Sequence, residues 1–139
     1  MRQQAWTEVK EVLRDYPRYA SYIHQIRQSK LYPYRITDEN IGGGKSSSTH
    51  DSLERMVISI ADDLTIRRLE HQKRSVEETL CDHPEWVEEM IEMMFLSRNK
   101  LSLTQAGELT GRSFRTAKKY YVEFMEDLAG RLGIYKGDE

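Results

Sequence analysis

The stretch Leu101–Tyr121, LSLTQAGELTGRSFRTAKKYY, carries the strongest structural signal in this chain. Ser102 and Gln105 stand at the interval of a capping box, in which a hydroxyl accepts the N–H three residues on and the amide side chain reaches back. The spacing predicts a short helix through about Leu109. Thr110-Gly111-Arg112 predicts a turn, with Gly111 able to take the left-handed backbone angle. Ser113 predicts the cap of a second helix continuing toward Leu132. Two helices crossing over so short a turn need a small residue where they touch. Gly107, four positions before the turn glycine, supplies it. Ala106 and Leu109 are expected on the inner face of the first helix. Ala117, Tyr120 or Tyr121, and Phe124 are expected on that of the second.

This is helix-turn-helix grammar. Such a motif sends the N-terminal end of its second helix into the DNA major groove. Here that end projects Ser113, Phe114, Arg115, Lys118 and Lys119. Arginine can grip a guanine edge with two hydrogen bonds, while lysine, serine and backbone N–H groups hold phosphates. Two residues depart from the pattern. Arg112 occupies a turn position that is usually apolar, and Ala117 is small where a branched aliphatic residue is common. The competing reading of the same residues is an ordinary helical hairpin with a basic face.

Charge supports the first reading locally. The chain of 139 residues carries a net charge of −2, which is unpromising for a nucleic-acid binder. Yet Ser97–Tyr121 holds six basic residues (Arg98, Lys100, Arg112, Arg115, Lys118, Lys119) and one acid, Glu108, for a net +5. Val76–Leu96 before it has a net −7 and Val122–Glu139 after it a net −3. A basic island between acidic stretches can serve as a local electrostatic footprint.

Outward from this island the chain reads as all-α. Trp6, Val9, Val12, Leu13 and Tyr16 predict a first helix over about Gln3–Asp15. Pro17 is expected to break it and to open a second helix to about Ser29, with Tyr19, Tyr22, Ile23 and Ile26 as core. A Gly/Ser-rich linker, residues 37–50, follows. It contains Gly44-Lys45-Ser46, but a phosphate-binding loop would need glycine at position 39, where Glu39 stands. The nucleotide reading fails, leaving a hinge, or at most a contact from Lys45 to one phosphate. Thr49, Asp51 or Ser52 is expected to cap the central helix. Leu53, Met56, Val57, Ile60 and Leu64 hold a 3-and-4 spacing there, which admits self-association as a homodimer. Beyond Arg67-Arg68 the pattern drifts, so one long helix and two shorter ones both remain open. Asp82-His83-Pro84-Glu85 predicts a further helix start, with an apolar stripe of Trp86, Val87, Met90, Ile91, Met94 and Phe95. Cys81 is expected to be a small buried thiol.

Other classes fare poorly. Nothing resembles a signal peptide or a membrane span, and one cysteine excludes an internal disulfide, in keeping with a cytoplasmic setting. His24, His50, His71 and His83 are scattered, so no metal, cofactor or catalytic constellation is expected, and the chain is not expected to be an enzyme. The expected segments are 1–36, an N-terminal helical part like a hairpin; 37–50, the linker; and 51–139, the central helix with the DNA-binding motif.

Asp15-Tyr16-Pro17 with Tyr19, then Thr37-Asp38-Glu39-Asn40-Ile41-Gly42-Gly43, Arg67-Arg68 and the C-terminal motif together resemble the RinA family of phage transcriptional activators, related to ArpU-like regulators. The C-terminal piece alone is similar to region 4 of sigma factors. The resemblance implies a phage or prophage activator of late packaging and structural genes in a bacterial host. It would bind double-stranded operator DNA upstream of the promoter. DNA-contacting residues carried over are Thr104, Gln105, Arg112, Ser113, Phe114, Arg115, Thr116, Lys118 and Lys119. The acidic stretch Pro84–Leu96 is a candidate contact for host RNA polymerase. Two alternatives stay open: an oligomeric DNA-binding subunit like the small packaging (terminase) protein, and an adaptor that binds the host transcription machinery.

Overall fold

The computed structural model describes residues 1–31, 48–134 and 137, with side chains over 1–29, 60–134 and 137. Every regular element among the described residues is helical. They are α1 (Gln3–Leu31), α2 (Ser48–Asp82), α3 (Glu85–Ile91) running into a π-helical turn (Glu92–Leu96), α4 (Leu103–Leu109) and α5 (Phe114–Leu132). Of the expected linker, residues 37–47 lie outside the described residues, as do Lys45 and the Asn40-Ile41-Gly42-Gly43 signature.

Three sequence expectations about these helices need correction. Pro17 does not break α1, which runs through it as 29 residues. Proline at that point removes one backbone bond, but Pro17 lies on the exposed side, and buried Val9, Val12 and Leu13 precede it while Tyr19 and Ile23 follow. Burial on the opposite face holds the helix across the missing bond. The central helix is one element of 35 residues with no interruption at Arg67, and Thr49, Asp51 and Ser52 lie inside it rather than capping it. Asp82 closes α2 instead of capping α3. The N-cap of α3 is Pro84, whose carbonyl accepts from Val87 at 2.9 Å and Glu88 at 3.2 Å. Glu85 and Glu88 supply negative charge at that positive helix end.

The chain divides into two compact units, residues 1–18 with 71–139, and residues 19–70. In the smaller unit Tyr19, Ile23, Ile66 and Leu69 are buried, and Arg27 pairs with Glu70 at 2.6 Å. Tyr22, expected in the core, is exposed.

Among the described residues, the largest fully buried side chains belong to the larger unit. Its fully buried side chains include Val9 and Leu13 of α1, Val76 and Thr79 of α2, Val87, Met90 and Ile91 of α3, and Phe124, Met125 and Leu128 of α5. These come from distant parts of the sequence and lock four helices around one apolar centre. Trp6 stacks on Tyr121, with ring centroids 5.6 Å apart, so the start of α1 packs directly on α5. Polar pairs accompany this core. The Tyr16 hydroxyl donates to Glu77 at 2.8 Å, and Lys73 joins the same carboxylate at 3.0 Å. His83 lies 3.0 Å from Asp127. Arg131 pairs with Asp82, Glu78 and Asp127. Cys81 is exposed, contrary to the sequence expectation.

Candidate nucleic-acid interface

The candidate surface is built from α4, the turn after it, and α5. Ser102 caps α4 with both halves of the capping box in place. Its hydroxyl accepts from the Gln105 N–H at 3.1 Å, and the Gln105 side-chain oxygen accepts from the Ser102 N–H at 3.1 Å. The turn is a Schellman closure. Gly111 has φ 75°, its N–H donates to the Glu108 carbonyl at 3.0 Å, and the Arg112 N–H donates to the Gly107 carbonyl at 2.9 Å. Two orphan carbonyls of α4 are satisfied, and the chain reverses within a few residues. Ser113 then caps α5 by accepting from the Thr116 N–H at 3.2 Å.

Close approach of the two helices depends on Gly107. A Cβ placed there would lie 2.9 Å from the Ala117 Cβ. Ala106, Ala117, Tyr121 and Phe124 are buried on the inner faces, as the sequence led us to expect. Leu109 is not: it is 68% exposed. The small Ala117 is thus matched to a glycine rather than being a packing defect.

The sequence-selected residues fall into distinct groups. Arg112 is the departure in the turn, and its guanidinium stacks on the Trp86 ring of α3 at 4.5 Å. Trp86 in turn meets Tyr120 edge-on, centroids 4.9 Å apart. A planar cation fills the turn position that an apolar residue usually takes, because an indole lies beneath it. Gln105 and Ser113 spend side-chain oxygens on capping, and the Thr116 hydroxyl accepts from the Ser113 hydroxyl at 3.1 Å. Thr104 is exposed at the start of α4.

Arg115, Lys118 and Lys119 are exposed on the first turns of α5 and enter no ion pair among the described residues. They line a shallow groove with Phe114, Val122 and Glu123. Lys100, by contrast, is committed elsewhere. Its ammonium donates to the Phe95 carbonyl at 3.2 Å, closing the end of the π-helical turn. That turn itself, with the Ser97 N–H donating to the Glu92 carbonyl at 2.9 Å, has no sequence signature. Neither it nor the Arg112–Trp86 pair was visible in the sequence, because both depend on how α3 meets its neighbours.

On the opposite side of the charge pattern, α3 and the π-helical turn carry Glu88, Glu89 and Glu92. Partial burial, and then the neighbouring Glu88 and Glu89 carboxylates, push the Glu92 carboxyl above its ordinary range. No helix among the described residues is long and apolar enough to cross a membrane.

Fold and surface define an all-α protein that displays an unpaired cationic helix face beyond a tight, glycine-closed turn. The chain belongs to the family described as protein of unknown function DUF722, whose sequence profile matches residues 7–130. No curated protein and no solved structure matches it.

Proposed function

We propose that this chain is a sequence-specific DNA-binding transcriptional activator, acting on phage late genes as its resemblance to the RinA-like regulators implies. The observation that carries the proposal is the sorting of its cations. Within the basic island all six cations are exposed, but Lys100 is bonded to the Phe95 carbonyl and Arg112 stacks on Trp86, while Arg115, Lys118 and Lys119 stand together on the N-terminal turns of α5 with no ion pair among the described residues; Arg98 lies outside that helix. Three cations held unpaired on one helix face repel one another unless an anion is supplied. A helix N-terminus adds the partial positive charge of its unsatisfied N–H groups.

In this reading Arg115 reads a base edge and Lys118 and Lys119 hold phosphates. Counterion release makes the affinity fall steeply as salt rises. Arg115→Ala costs about 1–3 kcal/mol and relaxes one base preference, while a lysine substitution lowers the salt slope by about one. The test is a gel-shift series against DNA recovered by the full-length chain from a random pool. Unchanged affinity in both Arg115→Ala and Lys118→Ala would remove α5 from recognition. Glu88, Glu89 and Glu92 are the proposed contact with host RNA polymerase. Neutralising all three abolishes activation while leaving DNA affinity intact, and unaltered activation would leave them as a solvated face only.

A further inference from the structure

Phe114 is the first residue of α5 and is 53% exposed. A single exposed aromatic residue is unremarkable by itself. Its company is what matters. At positions i, i+4 and i+8, Phe114, Lys118 and Val122 form one line along the helix, beside Arg115 and Lys119. All five line the same shallow groove, together with one acid, Glu123. The surface therefore sets two apolar side chains, Phe114 and Val122, among three cations with no ion-pair partner among the described residues.

That combination suits few occupants. An apolar protein surface seated here would desolvate the cations without pairing them, which is costly. The DNA major groove offers phosphate walls to the cations. Its floor displays hydrogen-bonding groups and one apolar feature, the C5-methyl of thymine. A phenyl ring has no conventional donor or acceptor, so the thymine methyl is the feature on that floor that it matches best. Position along the helix separates the two apolar residues. At 1.5 Å of rise per residue, Val122 stands about 12 Å from Phe114 along the axis. A helix that enters the groove by its N-terminus thus brings Phe114 to the bases and leaves Val122 near the backbone.

Building on the DNA-binding reading above, we infer that Phe114 is a specificity residue that recognises thymine methyl groups beside the base gripped by Arg115. The preferred site is then a guanine with thymine one or two steps away.

The test exchanges thymine for uracil, which deletes the methyl and preserves every hydrogen-bonding group. Operators recovered from a random double-stranded pool by the full-length chain are synthesised in both forms. Wild-type protein should bind the uracil form about fourfold more weakly per contacted methyl, the value of one buried methyl-sized group. Phe114→Ala should bind the thymine form correspondingly weakly and show no thymine–uracil difference. Arg115→Gln should lose affinity yet keep that difference. Circular dichroism checks that Phe114→Ala remains folded, as its exposure leads us to expect. Equal wild-type affinity for both operators overturns the inference while the proposed function stands. An equal uracil penalty in wild type and Phe114→Ala also overturns it, because the methyls then act through DNA shape. Failure to recover any operator, with no salt-dependent binding, removes both readings together.

Discussion

A Cβ at position 107 would stand 2.9 Å from the Cβ of Ala117. That distance is below any ordinary contact between carbon atoms, so glycine and alanine are matched across the α4–α5 junction. Gly107→Ala gains helix propensity worth about 1 kcal/mol but meets overpacking that costs about 1–3 kcal/mol. The net is a loss, and Gly107→Val is worse. Combining Gly107→Ala with Ala117→Gly should recover part of the loss beyond additivity. Urea unfolding of the four proteins measures it, and strict additivity would show that the two positions do not press on each other.

Gly111 acts through its own backbone. Its φ of 75° lies in the left-handed region, and no heavy atom stands within 4 Å of where its Cβ would be. Gly111→Ala should therefore cost about 1–2 kcal/mol from conformation alone, and Gly111→Asn clearly less. Equal loss in the two variants would mean that the closure relaxes to another geometry.

Arg112 and Arg115 should separate stability from binding. The first stacks on Trp86 at 4.5 Å, so Arg112→Ala is expected to lower stability by about 0.5–1 kcal/mol, the range for an exposed cation–π pair. Arg115→Ala should leave thermal unfolding unchanged and weaken DNA binding. If Arg112→Ala weakened binding with no loss of stability, the guanidinium would be serving DNA rather than the turn.

The Tyr16–Glu77 bond gives the fold a pH signature on both sides. Burial, then the hydrogen bond and charge of Glu77, push the Tyr16 phenol from 10.0 up to about 12. Burial pushes Tyr121 to about 12 as well, against the opposing charge of Arg14. A phenol with a raised folded pKa stabilises fully below the unfolded value and loses that contribution as pH rises through the folded one. Stability should therefore fall between about pH 10 and 12. Burial also raises Glu77, but the hydrogen bonds from Lys73 and Tyr16 outweigh it and hold the carboxyl below its ordinary range. Its contribution is present above the unfolded carboxylate pKa and disappears as pH falls through the depressed folded value. Tyr16→Phe should flatten both limbs of a stability–pH curve measured by denaturant unfolding. A variant curve parallel to wild type at both ends would dismiss this linkage.

Residue order alone specifies the capped turns of this chain. The Ser102–Gln105 box, the left-handed Gly111, the Ser113 cap and the Val87–Phe95 stripe are local backbone chemistry, so residue type and spacing suffice to write them. Gly107 was legible because a tight turn leaves no room beside it. The remainder depends on how the helices pack against one another. Burial of Leu13 and its neighbours carries α1 through Pro17, overriding a breaker signal that is correct in isolation. Asp82 is drawn to Arg131, 49 residues away, and not to the next helix start. Leu109 obeys helical spacing yet faces outward, because α5 covers Ala106 and Gly107 instead. The seating of the Arg112 guanidinium on Trp86 has the same origin, whereas Lys100 is engaged locally by the Phe95 carbonyl. Charge is written in the sequence, but whether the Arg112 charge already has a partner depends on which distant residue the fold brings within reach.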